Sequence, residues 1–391
     1  MATLPCEGSS SSIDVASPTL HQDLLSLCAQ LLSPKVGAER WGSLKIEDLE
    51  ITVIDGGITN ALYKVALKES SDCSVPSVLV RVFGKAGDAV CDRLQENKIF
   101  GELSTVGFGP AMLGVFANGR LEGWLEGRRP LKALEMIAFE PAPFPLLIAK
   151  QLAVMHKSCS PQTLAEVWSQ LREWIALGKE VSFLDGSEKH EKLKLANPFP
   201  RVEEELNFLE TILPSPSNDH GAKLPSDGLT ETRCQARKLL FEQRFCHLDL
   251  LSGNIMFSEE RGDVVFIDFE YATHSYVGLD IANHFNAVPE SCLILDDVFD
   301  ADKYYPSQDH QRKWLRAYFS EVGVEVSPTL MEELLIVLLD FALLAELRWV
   351  AWAVVQASCS PVDFDYLDYC RMRFEDGYLK YKQWRQDGGR P

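Results

Sequence analysis

The sequence predicts an α+β protein with two lobes: a small N-terminal lobe rich in antiparallel strands and a larger, mainly helical C-terminal lobe. Two observations support this division. Strand-like segments separated by glycine turns lie before residue 125, whereas amphipathic helical segments dominate from Pro145 onward. The 391 residues are enough to bury a large core. We place a disordered tail at residues 1–18, the N-terminal lobe at 19–127 and the C-terminal lobe at 128–391.

The N-terminal lobe is predicted from strands that alternate with turns. Leu20–Leu32 has helical spacing and follows the serine-rich tail. Leu49–Leu67 and Ser77–Gly84 are strand-like, and Gly56-Gly57 marks a turn between two strands within the first of these segments. The remaining elements are a helix within Asp88–Leu103 and two strands within Ala111–Leu125, which meet at a turn over Asn118-Gly119.

The C-terminal lobe is predicted from helices. Pro145–Lys157 and Thr163–Gly178 are amphipathic, and a polar loop rich in Pro, Gly and Ser follows at Pro214–Thr230. The dipeptide Ser-Pro at 327–328 predicts the start of a long helix, because serine caps helices and proline suits the first turn. Charged residues interrupt Leu334–Val355, the most apolar stretch, so we expect a buried helix there and no membrane span.

Charge and cysteine usage limit the classes of function. The formal net charge of −19 argues against nucleic acid as a partner and is compatible with a cationic substrate, although solubility alone is a sufficient explanation of the acidity. The ten cysteines are scattered without a CxxC pair, which predicts free thiols in a reducing compartment and hence a cytoplasmic protein. No Lys or Arg precedes Lys35, so we expect neither a secretory signal nor a transit peptide.

A predicted hairpin follows the segment FCHLDLLSGN. Its strands are Ile255–Phe257 and Val264–Ile267, with a turn over Glu259–Asp263. Because a hairpin brings its open ends together, polar residues before the first strand should lie near those after the second. These residues are Asp249, Asn254, Asp268 and Glu270. Their oxygen atoms are ligands that suit Mg²⁺ together with phosphate oxygens.

The spacing HxDxxxxN, from His247 to Asn254, is followed by an apolar strand that ends in Asp268, nineteen residues after Asp249. This pattern favours phosphoryl transfer. In that chemistry Asp249 would orient the acceptor hydroxyl, while Asn254 and Asp268 would hold a metal that bridges the phosphates of ATP. The simpler alternative, in which Asp249 and Asp268 only cap turns, accounts for either residue alone but not for the whole pattern.

Seven segments carry a resemblance that is more specific than any single motif. They are GGITNALYKV, VLVRVFG, GFGPAMLGVFANGRLEGWLEGRRPL, CHLDLLSGNI, FIDFEY, GLDIANHFN and WVAWAVVQASCSPVDFDYLDY. In content and order they resemble the choline/ethanolamine kinase family, which has the protein-kinase-like two-lobe fold. The resemblance covers most of the chain and is weakest from Ser158 to Arg233.

The resemblance implies catalytic roles for four residues of the C-terminal lobe. Asp249 matches the catalytic base and Asn254 matches a metal ligand. Asp268 matches the main Mg²⁺ ligand, and Glu270 is placed beside it as a further ligand.

The resemblance also makes the N-terminal lobe the nucleotide-binding lobe. Arg81 matches the basic residue that contacts the ATP phosphates, and Glu96 matches its acidic partner, with Asp92 one turn away as an alternative. Main-chain N–H groups of a glycine-containing loop suit anions. The residues that match the phosphate-covering loop are Gly56, Gly57, Thr59 and Asn60, and those that match the adenine-facing segment are Gly123 to Leu125.

Two positions depart from the family pattern. Leu248 stands where the family usually has Asn, a change that we expect to be tolerated while altering the hydrogen bonds of the loop. Ala287 stands where family members commonly have Glu near the substrate ammonium, and Glu290, three residues on, could replace that carboxylate.

Aromatic residues suggest how an amine would bind. Trp349 and Trp352 are three residues apart and share one helix face, and Tyr366 and Tyr369 repeat that spacing. Core packing alone explains such a stripe, but an ammonium is attracted to aromatic faces by about 0.5–2 kcal/mol per contact. The resemblance places Trp349, Trp352 and Tyr369 at the amine pocket and leaves Tyr366 in the core. Tyr271 directly follows the metal-site segment and joins the pocket, where Asp249 could add negative charge.

These observations predict an ATP- and Mg²⁺-dependent kinase that phosphorylates ethanolamine, with choline as a further substrate, in the first step of phospholipid head-group synthesis by the cytidine-nucleotide route. The segments GGITN, NHFN and SPVDFDYL look closer to ethanolamine kinases. The alternatives are a choline kinase, a kinase of another small hydroxyl compound of the aminoglycoside-phosphotransferase type, and a pseudokinase that binds without catalysis. The expected partners are the amino alcohol and ATP, and the sequence leaves a homodimer open.

Overall fold

The computed structural model describes residues 8–35, 37–54, 60–69, 73–84, 92–161, 167–196, 198–213, 230–296, 298–360 and 362–389. The chain divides into two compact units. The N-terminal unit comprises Met1–Gly127 with Ser360–Val362, and the C-terminal unit comprises Arg128–Cys359 with Asp363–Pro391. The first unit is built on a sheet and the second is mainly helical, which confirms the predicted α+β class.

A sheet of six strands organises the N-terminal unit. The order is β1-β5-β6-β4-β3-β2, and all neighbours are antiparallel except β1 and β5. The strands are β1 (Gly8–Ser9), β2 (Leu49–Ile54), β3 (Asn60–Leu67), β4 (Ser77–Phe83), β5 (Met112–Phe116) and β6 (Gly119–Gly123), and the helices are α1 (Leu20–Leu32) and α2 (Arg93–Thr105). Because side chains alternate along a strand, Val78, Val80 and Val82 of β4 face the apolar core that they share with α1.

Most predicted elements of this unit are confirmed, but the disordered tail is wrong for residues 8–18. Strand β1 pairs with β5, and Ile13 is buried. The Ile13 N–H donates to Asn118 Oδ1 at 2.9 Å, and Asn118 Nδ2 donates to the Ile13 carbonyl at 2.8 Å. Pairing at a sheet edge uses main-chain groups, so the polar composition of the segment did not reveal it. The predicted turn at Gly56-Gly57 lies outside the described residues.

Helices pack around two small sheets in the C-terminal unit. The helices are α3 (Phe144–Ser158), α4 (Val167–Lys179), α5 (Glu188–Ala196), α6 (Phe199–Ile212), α7 (Glu231–Leu240), α8 (Val277–Ser291), α9 (Leu293–Asp296), α10 (Ala301–Tyr304), α11 (Gln308–Val322), α12 (Pro328–Cys359), α13 (Tyr366–Met372) and α14 (Leu379–Gln386), with a π-helix at Arg373–Tyr378. The strands are β7 (Arg129–Pro130), β8 (Gln243–Cys246), β9 (Ile255–Ser258), β10 (Asp263–Phe266) and β11 (Thr273–Tyr276). They form the sheets β10-β9-β7 and β11-β8.

Helix α12 is the central element of this unit. It begins at Pro328, as predicted, and is buried on all sides from Val337 to Ala357, where it packs among neighbours that include α4, α7, α8 and α13. Three charged residues lie in its buried part, namely Asp340, Glu346 and Arg348, and each has an oppositely charged or polar partner within the unit. None of the helices among the described residues has the length and apolar character needed to cross a membrane. The buried-helix prediction is confirmed.

A glycine brings α8 close to α12. A Cβ at Gly278 would lie 2.5 Å from two ring carbons of Phe341 and 3.1 Å from Leu240 Cβ. A separation of 2.5 Å is essentially never seen between a real Cβ atom and a neighbouring atom, and 3.1 Å is tighter than most such contacts. Gly278 therefore fixes the separation of two helices that carry site residues described below.

Gly278→Ala is expected to destabilise the protein by about 1–3 kcal/mol, because the added methyl group overpacks the contact with Phe341. Urea unfolding followed by circular dichroism measures this loss. The control is Gly8→Ala, where the new Cβ would meet only the Val115 carbonyl at 3.9 Å. Equal stabilities of the two variants would contradict the close contact.

Candidate active site

The predicted hairpin forms and joins the two polar segments. Strands β9 and β10 are antiparallel with Ile255 opposite Phe266, and the Ile267 N–H donates to the Asn254 carbonyl at 3.0 Å. The return strand ends at Phe266, one residue earlier than predicted. Asn254 is therefore held directly beside the chain that leads into Asp268.

Asn254 also binds Asp249 across the loop between β8 and β9. Its side-chain Nδ2 donates to the Asp249 carbonyl at 2.8 Å and to Asp249 Oδ2 at 3.1 Å. Because Nδ2 is engaged in this way, Oδ1 is the Asn254 atom that could bind a metal. Asp249, Asn254, Asp268 and Glu270 are all half-buried, so a ligand could reach them.

Several carboxylates concentrate negative charge around Asp249. Burial raises the pKa of Asp249 well above its usual range, and the charges of Glu290, Asp268 and Glu270 raise it further, while Arg348 opposes them. Carboxylates that repel one another favour a bound cation, and an all-oxygen donor set suits Mg²⁺. The residues present therefore fit the predicted metal.

Leu248 and Asp268 adopt the left-handed backbone conformation, with φ of 59° and 64°. This conformation costs about 1–2 kcal/mol for most residues but is easier for Asn. An asparagine at position 248, as in the family pattern, would thus relieve backbone strain. In this chain the Leu248 carbonyl accepts from Arg348 Nη1 at 3.2 Å, and its side chain is fully buried.

A buried carboxylate that the sequence analysis missed holds this loop. Asp280 of α8 accepts the main-chain N–H groups of His247 and Leu248, both at 2.8 Å, and lies 3.0 Å from His156 Nε2. His156 Nδ1 in turn lies 2.7 Å from the Tyr318 hydroxyl. The available signal was a single aspartate in the otherwise apolar start of the segment VGLDIANHF.

Five rings form one buried group, which we call the aromatic cluster: Tyr271, Trp349, Trp352, Tyr366 and Tyr369. Ring centroids are 5.3 Å apart for Tyr271 and Trp349, 5.4 Å for Trp349 and Trp352, 5.7 Å for Trp352 and Tyr366, and 6.2 Å for Trp352 and Tyr369. Trp352 Nε1 donates to the Tyr271 hydroxyl at 2.9 Å. The structure thus brings the predicted amine-pocket rings together, and Tyr366 lies with them.

A guanidinium of the chain itself lies against this cluster. The Arg348 guanidinium carbon is 5.0 Å from the Trp174 ring centroid, 5.1 Å from that of Trp349 and 5.6 Å from that of Tyr271. Burial lowers the pKa of Arg348 to about 10, so it stays charged at neutral pH. One face of Trp349 is therefore occupied by a resident cation, which the sequence analysis did not foresee.

Ala287 and Glu290, the two α8 positions considered for a carboxylate near the substrate ammonium, have different surroundings. Ala287 is buried in an apolar group with Met136, Val288 and Tyr304. Glu290 is partly exposed and accepts from the Tyr369 hydroxyl at 2.7 Å. The carboxylate of Glu290 therefore contacts the aromatic cluster through Tyr369, whereas position 287 supplies no carboxylate.

A network of buried charges surrounds Arg81 in the N-terminal unit. Arg81 Nε donates to Glu122 Oε1 at 2.7 Å, and Arg120 Nε donates to the same oxygen at 2.8 Å. Arg120 Nη1 also donates to Glu96 Oε1 at 2.6 Å. Burial alone would raise the pKa of Glu96, but the charges of Arg120, Arg81 and Arg93 outweigh it and lower the pKa to about 2.

Of the two predicted acidic partners, Glu96 lies in this network, in which the carboxylate hydrogen-bonded to Arg81 Nε is that of Glu122. Glu96 is buried among the guanidinium groups, whereas Asp92 is exposed and caps α2 by accepting from the N–H groups of Leu94 and Gln95. Sequence reasoning missed Arg120 and Glu122, although charged residues two apart on an apolar strand were a usable signal.

The other predicted nucleotide residues are only partly described. Gly56, Gly57 and Thr59 lie outside the described residues. Asn60 is the first residue of β3 and is buried. Gly123 ends β6, where its N–H donates to the Ala111 carbonyl at 2.8 Å, and Leu125 lies two residues further on and is half-buried.

Comparison with known proteins identifies the family. A family model described as choline/ethanolamine kinase matches residues 51–377. The chain belongs to the choline/ethanolamine kinase family. It is therefore an enzyme of the kinase class, as the sequence predicted, and the match includes the HxDxxxxN segment, the hairpin and α12.

Individual relatives extend over most of the chain. Probable ethanolamine kinase A of Dictyostelium discoideum is 33% identical over 342 residues, which are 85% of this chain and 86% of that protein. Probable choline kinase 1 of Arabidopsis thaliana is 29% identical over 349 residues, 87% of this chain and 90% of that protein. A solved structure of an ethanolamine kinase from Plasmodium vivax is 22% identical in sequence, and the match covers 96% of this chain and 93% of that chain with a TM-score of 0.70. This likeness confirms the predicted fold.

Asp280→Asn is expected to destabilise the protein by about 2–4 kcal/mol, because one buried oxygen that accepts hydrogen bonds becomes an NH₂ group facing a donor. Guanidinium unfolding at neutral pH measures the change. The matched control is Asp302→Asn, which removes an exposed ion pair with Lys380 and should cost less than about 1 kcal/mol. An Asp280→Asn variant as stable as the control would show that this carboxylate does not hold the loop.

Proposed function

We propose that this chain transfers the γ-phosphoryl group of ATP to the hydroxyl of ethanolamine, and less efficiently to that of choline. The observation that carries the proposal is the contact between Asn254 and Asp249, which places an amide, a carboxylate and the start of the Asp268 segment at one end of a rigid hairpin. Family membership supplies the reaction class. The product would be phosphoethanolamine, made in the cytoplasm in the first step of phospholipid head-group synthesis.

Asp249 is the group proposed to accept the proton of the acceptor hydroxyl. The hydrogen bond from Asn254 orients its carboxylate, and Asp280 fixes the main chain that precedes it. Asn254 through Oδ1, Asp268 and Glu270 would hold Mg²⁺. When bound, Mg²⁺ would neutralise charge on the ATP phosphates.

Arg81 is the proposed contact for the ATP phosphates, and Glu96 is the carboxylate of the network that surrounds it. Three guanidinium groups, those of Arg81, Arg93 and Arg120, share two carboxylates, those of Glu96 and Glu122. Clustered guanidinium groups suit an anionic ligand such as a phosphate. The remaining proposed nucleotide contacts are the loop Gly56, Gly57, Thr59 and Asn60 and the segment Gly123 to Leu125.

The acceptor is proposed to bind between the aromatic cluster and Asp249. Arg348 already lies against Trp349 and Tyr271, and the Arg373 guanidinium carbon lies 5.6 Å from the centroid of the Tyr369 ring, which leaves Trp352 as the ring that a substrate ammonium would use most. A quaternary ammonium depends on such rings, because it has no N–H to donate. Choline is thus the second candidate acceptor. The aromatic rings favour its binding, but Arg348 already covers faces of two of the rings on which choline would depend.

Initial rates with each amine, ATP and Mg²⁺ test the proposed reaction. Wild-type protein is expected to give the higher kcat/KM with ethanolamine and to lose activity on chelation of the metal. Asp249→Asn and Asp268→Asn should each lower kcat by at least about 100-fold, because both groups act where the phosphoryl group is transferred.

The matched control for these variants is Asp263→Asn at the opposite end of β10, which removes an ion pair between the half-exposed Asp263 carboxylate and the buried Arg128 side chain. It should keep wild-type rates. Folded wild-type protein that turns over neither amine would favour the pseudokinase, and normal kcat in a folded Asp249→Asn variant would remove that residue from catalysis.

Trp352→Leu is expected to lower kcat/KM for choline more than for ethanolamine, because choline has only charge and aromatic faces to bind to. The ratio of the two kcat/KM values should move towards ethanolamine by about tenfold, near the upper range of one cation–π contact. Trp384→Leu removes another buried tryptophan, which packs on Tyr305 and Tyr381. It should leave the ratio unchanged, and an equal change in both variants would assign Trp352 to core packing.

A further inference from the structure

Two carboxylates share one buried guanidinium behind the proposed acceptor site. Arg373 Nε lies 2.6 Å from Glu346 Oε2, and Arg373 Nη1 lies 3.0 Å from Glu290 Oε2. The side chains of Arg373 and Glu346 are fully buried, whereas that of Glu290 is 21% exposed. The Tyr369 hydroxyl donates to the other Glu290 oxygen at 2.7 Å. A chain of contacts thus runs from the middle of α12 to the edge of the aromatic cluster.

The local fold makes room for this arrangement. Arg373 begins a π-helix, a rare wide turn that is frequent at functional sites. Gly377, in the same turn, faces Glu346, and a Cβ there would lie 3.0 Å from Glu346 Cδ and Oε2. A side chain larger than hydrogen at position 377 would therefore press on the buried carboxylate.

The sharing of Arg373 determines the net charge of the group formed by Glu290, Arg373 and Glu346. Burial raises the pKa of Glu346 to about 8, and the Arg373 charge works in the opposite direction. When Glu346 is ionised, one guanidinium serves two carboxylates, and the group carries a net negative charge. The partly exposed member, Glu290, presents that charge towards solvent, and among the neighbouring charges it has the largest effect on Asp249.

We propose that Glu290 is the specificity-determining carboxylate that accepts N–H hydrogen bonds from a primary ammonium, and that Glu346, when ionised, acts as a positioning residue by offsetting the charge that Arg373 places beside Glu290. The proposal rests on the proposed function, because it assigns the acceptor class of the same site. The class is amino alcohols with N–H donors, of which ethanolamine has three and choline none. Glu290 suits this role because it combines partial exposure with a hydrogen bond to Tyr369 of the aromatic cluster.

A series of acceptors that differ only in N-methylation tests the role of Glu290. For wild-type protein, kcat/KM should fall from ethanolamine through its N-methyl and N,N-dimethyl derivatives to choline. Glu290→Gln should raise the ethanolamine KM about 10- to 100-fold, the range of one hydrogen bond to a charged group, and leave the choline KM within about threefold. The series should consequently become flat.

The matched control is Glu205→Gln. Glu205 is also a partly buried carboxylate that accepts from a tyrosine hydroxyl and a cation, Tyr378 at 2.7 Å and Lys382 at 2.6 Å, at the far end of the π-helix that Arg373 begins. It should keep the wild-type methylation series. A Glu290→Gln variant that retains the wild-type series, or that loses both amines equally, overturns the proposal.

Variants of the buried pair test the positioning role separately. Above pH 8, Glu346→Gln should raise the ethanolamine KM about 3- to 10-fold at unchanged kcat, since Arg373 would then neutralise Glu290 alone. Adding Arg373→Met should restore the KM, because the competing cation is removed and no buried charge is left unpaired. A purely structural role predicts the opposite, a double variant that is worse than the single one, and that result overturns this part of the proposal.

The activity of the wild-type protein distinguishes a failure of the proposed reaction from a failure of the role assigned to Glu290. If the wild-type protein phosphorylates no amine, the proposed function fails. If it phosphorylates ethanolamine and the Glu290→Gln series matches wild type, the reaction stands and only the assignment of Glu290 fails.

Discussion

The hydrogen bonds of the Asp280 carboxylate are the interaction on which the proposed active site depends. Asp280 binds the N–H groups of His247 and Leu248, the two residues directly before Asp249. These donors are the compensation that a buried carboxylate requires, so the loop and α8 stabilise each other. They also hold Leu248 in its strained left-handed conformation, which a leucine would not adopt by preference. Backbone strain thus lies next to the residue proposed to act on the acceptor hydroxyl.

Helix α12 packs in the core of the C-terminal unit and also carries buried charged residues. It is surrounded by other helices, yet Arg348 and Glu346 are buried within it. Each charge is bound by a segment distant in sequence: Arg348 by Gln170 of α4 and the Leu248 carbonyl, and Glu346 by Arg373. Burying such groups is costly unless they are paired, so the pairs constrain which helices can pack against α12. The same constraint sets the distance of both charges from the proposed acceptor site.

Two kinds of recognition therefore meet in the C-terminal unit. In the proposed site the aromatic cluster would attract any cation of suitable size, whereas the Glu290 carboxylate at its edge would favour a cation that carries N–H donors. Arg348 already uses faces of Trp349 and Tyr271. The balance between the rings left to a substrate and the charge of Glu290 would then set the preference between choline and ethanolamine.

The sequence by itself determined the α+β division, α1, the start of α12 and the hairpin that joins Asn254 to the Asp268 segment. These features depend on periodicity and on short-range pairing, which a single stretch of chain encodes. The sequence also showed the resemblance to the choline/ethanolamine kinase family, which comparison with known proteins confirmed. Only the tertiary structure decided that β1 closes a sheet edge, that Arg348 stacks on the cluster and that Tyr369 and Arg373 bind Glu290. Periodicity specifies which face of a helix is buried, but the partner that a buried charge meets depends on how distant segments pack.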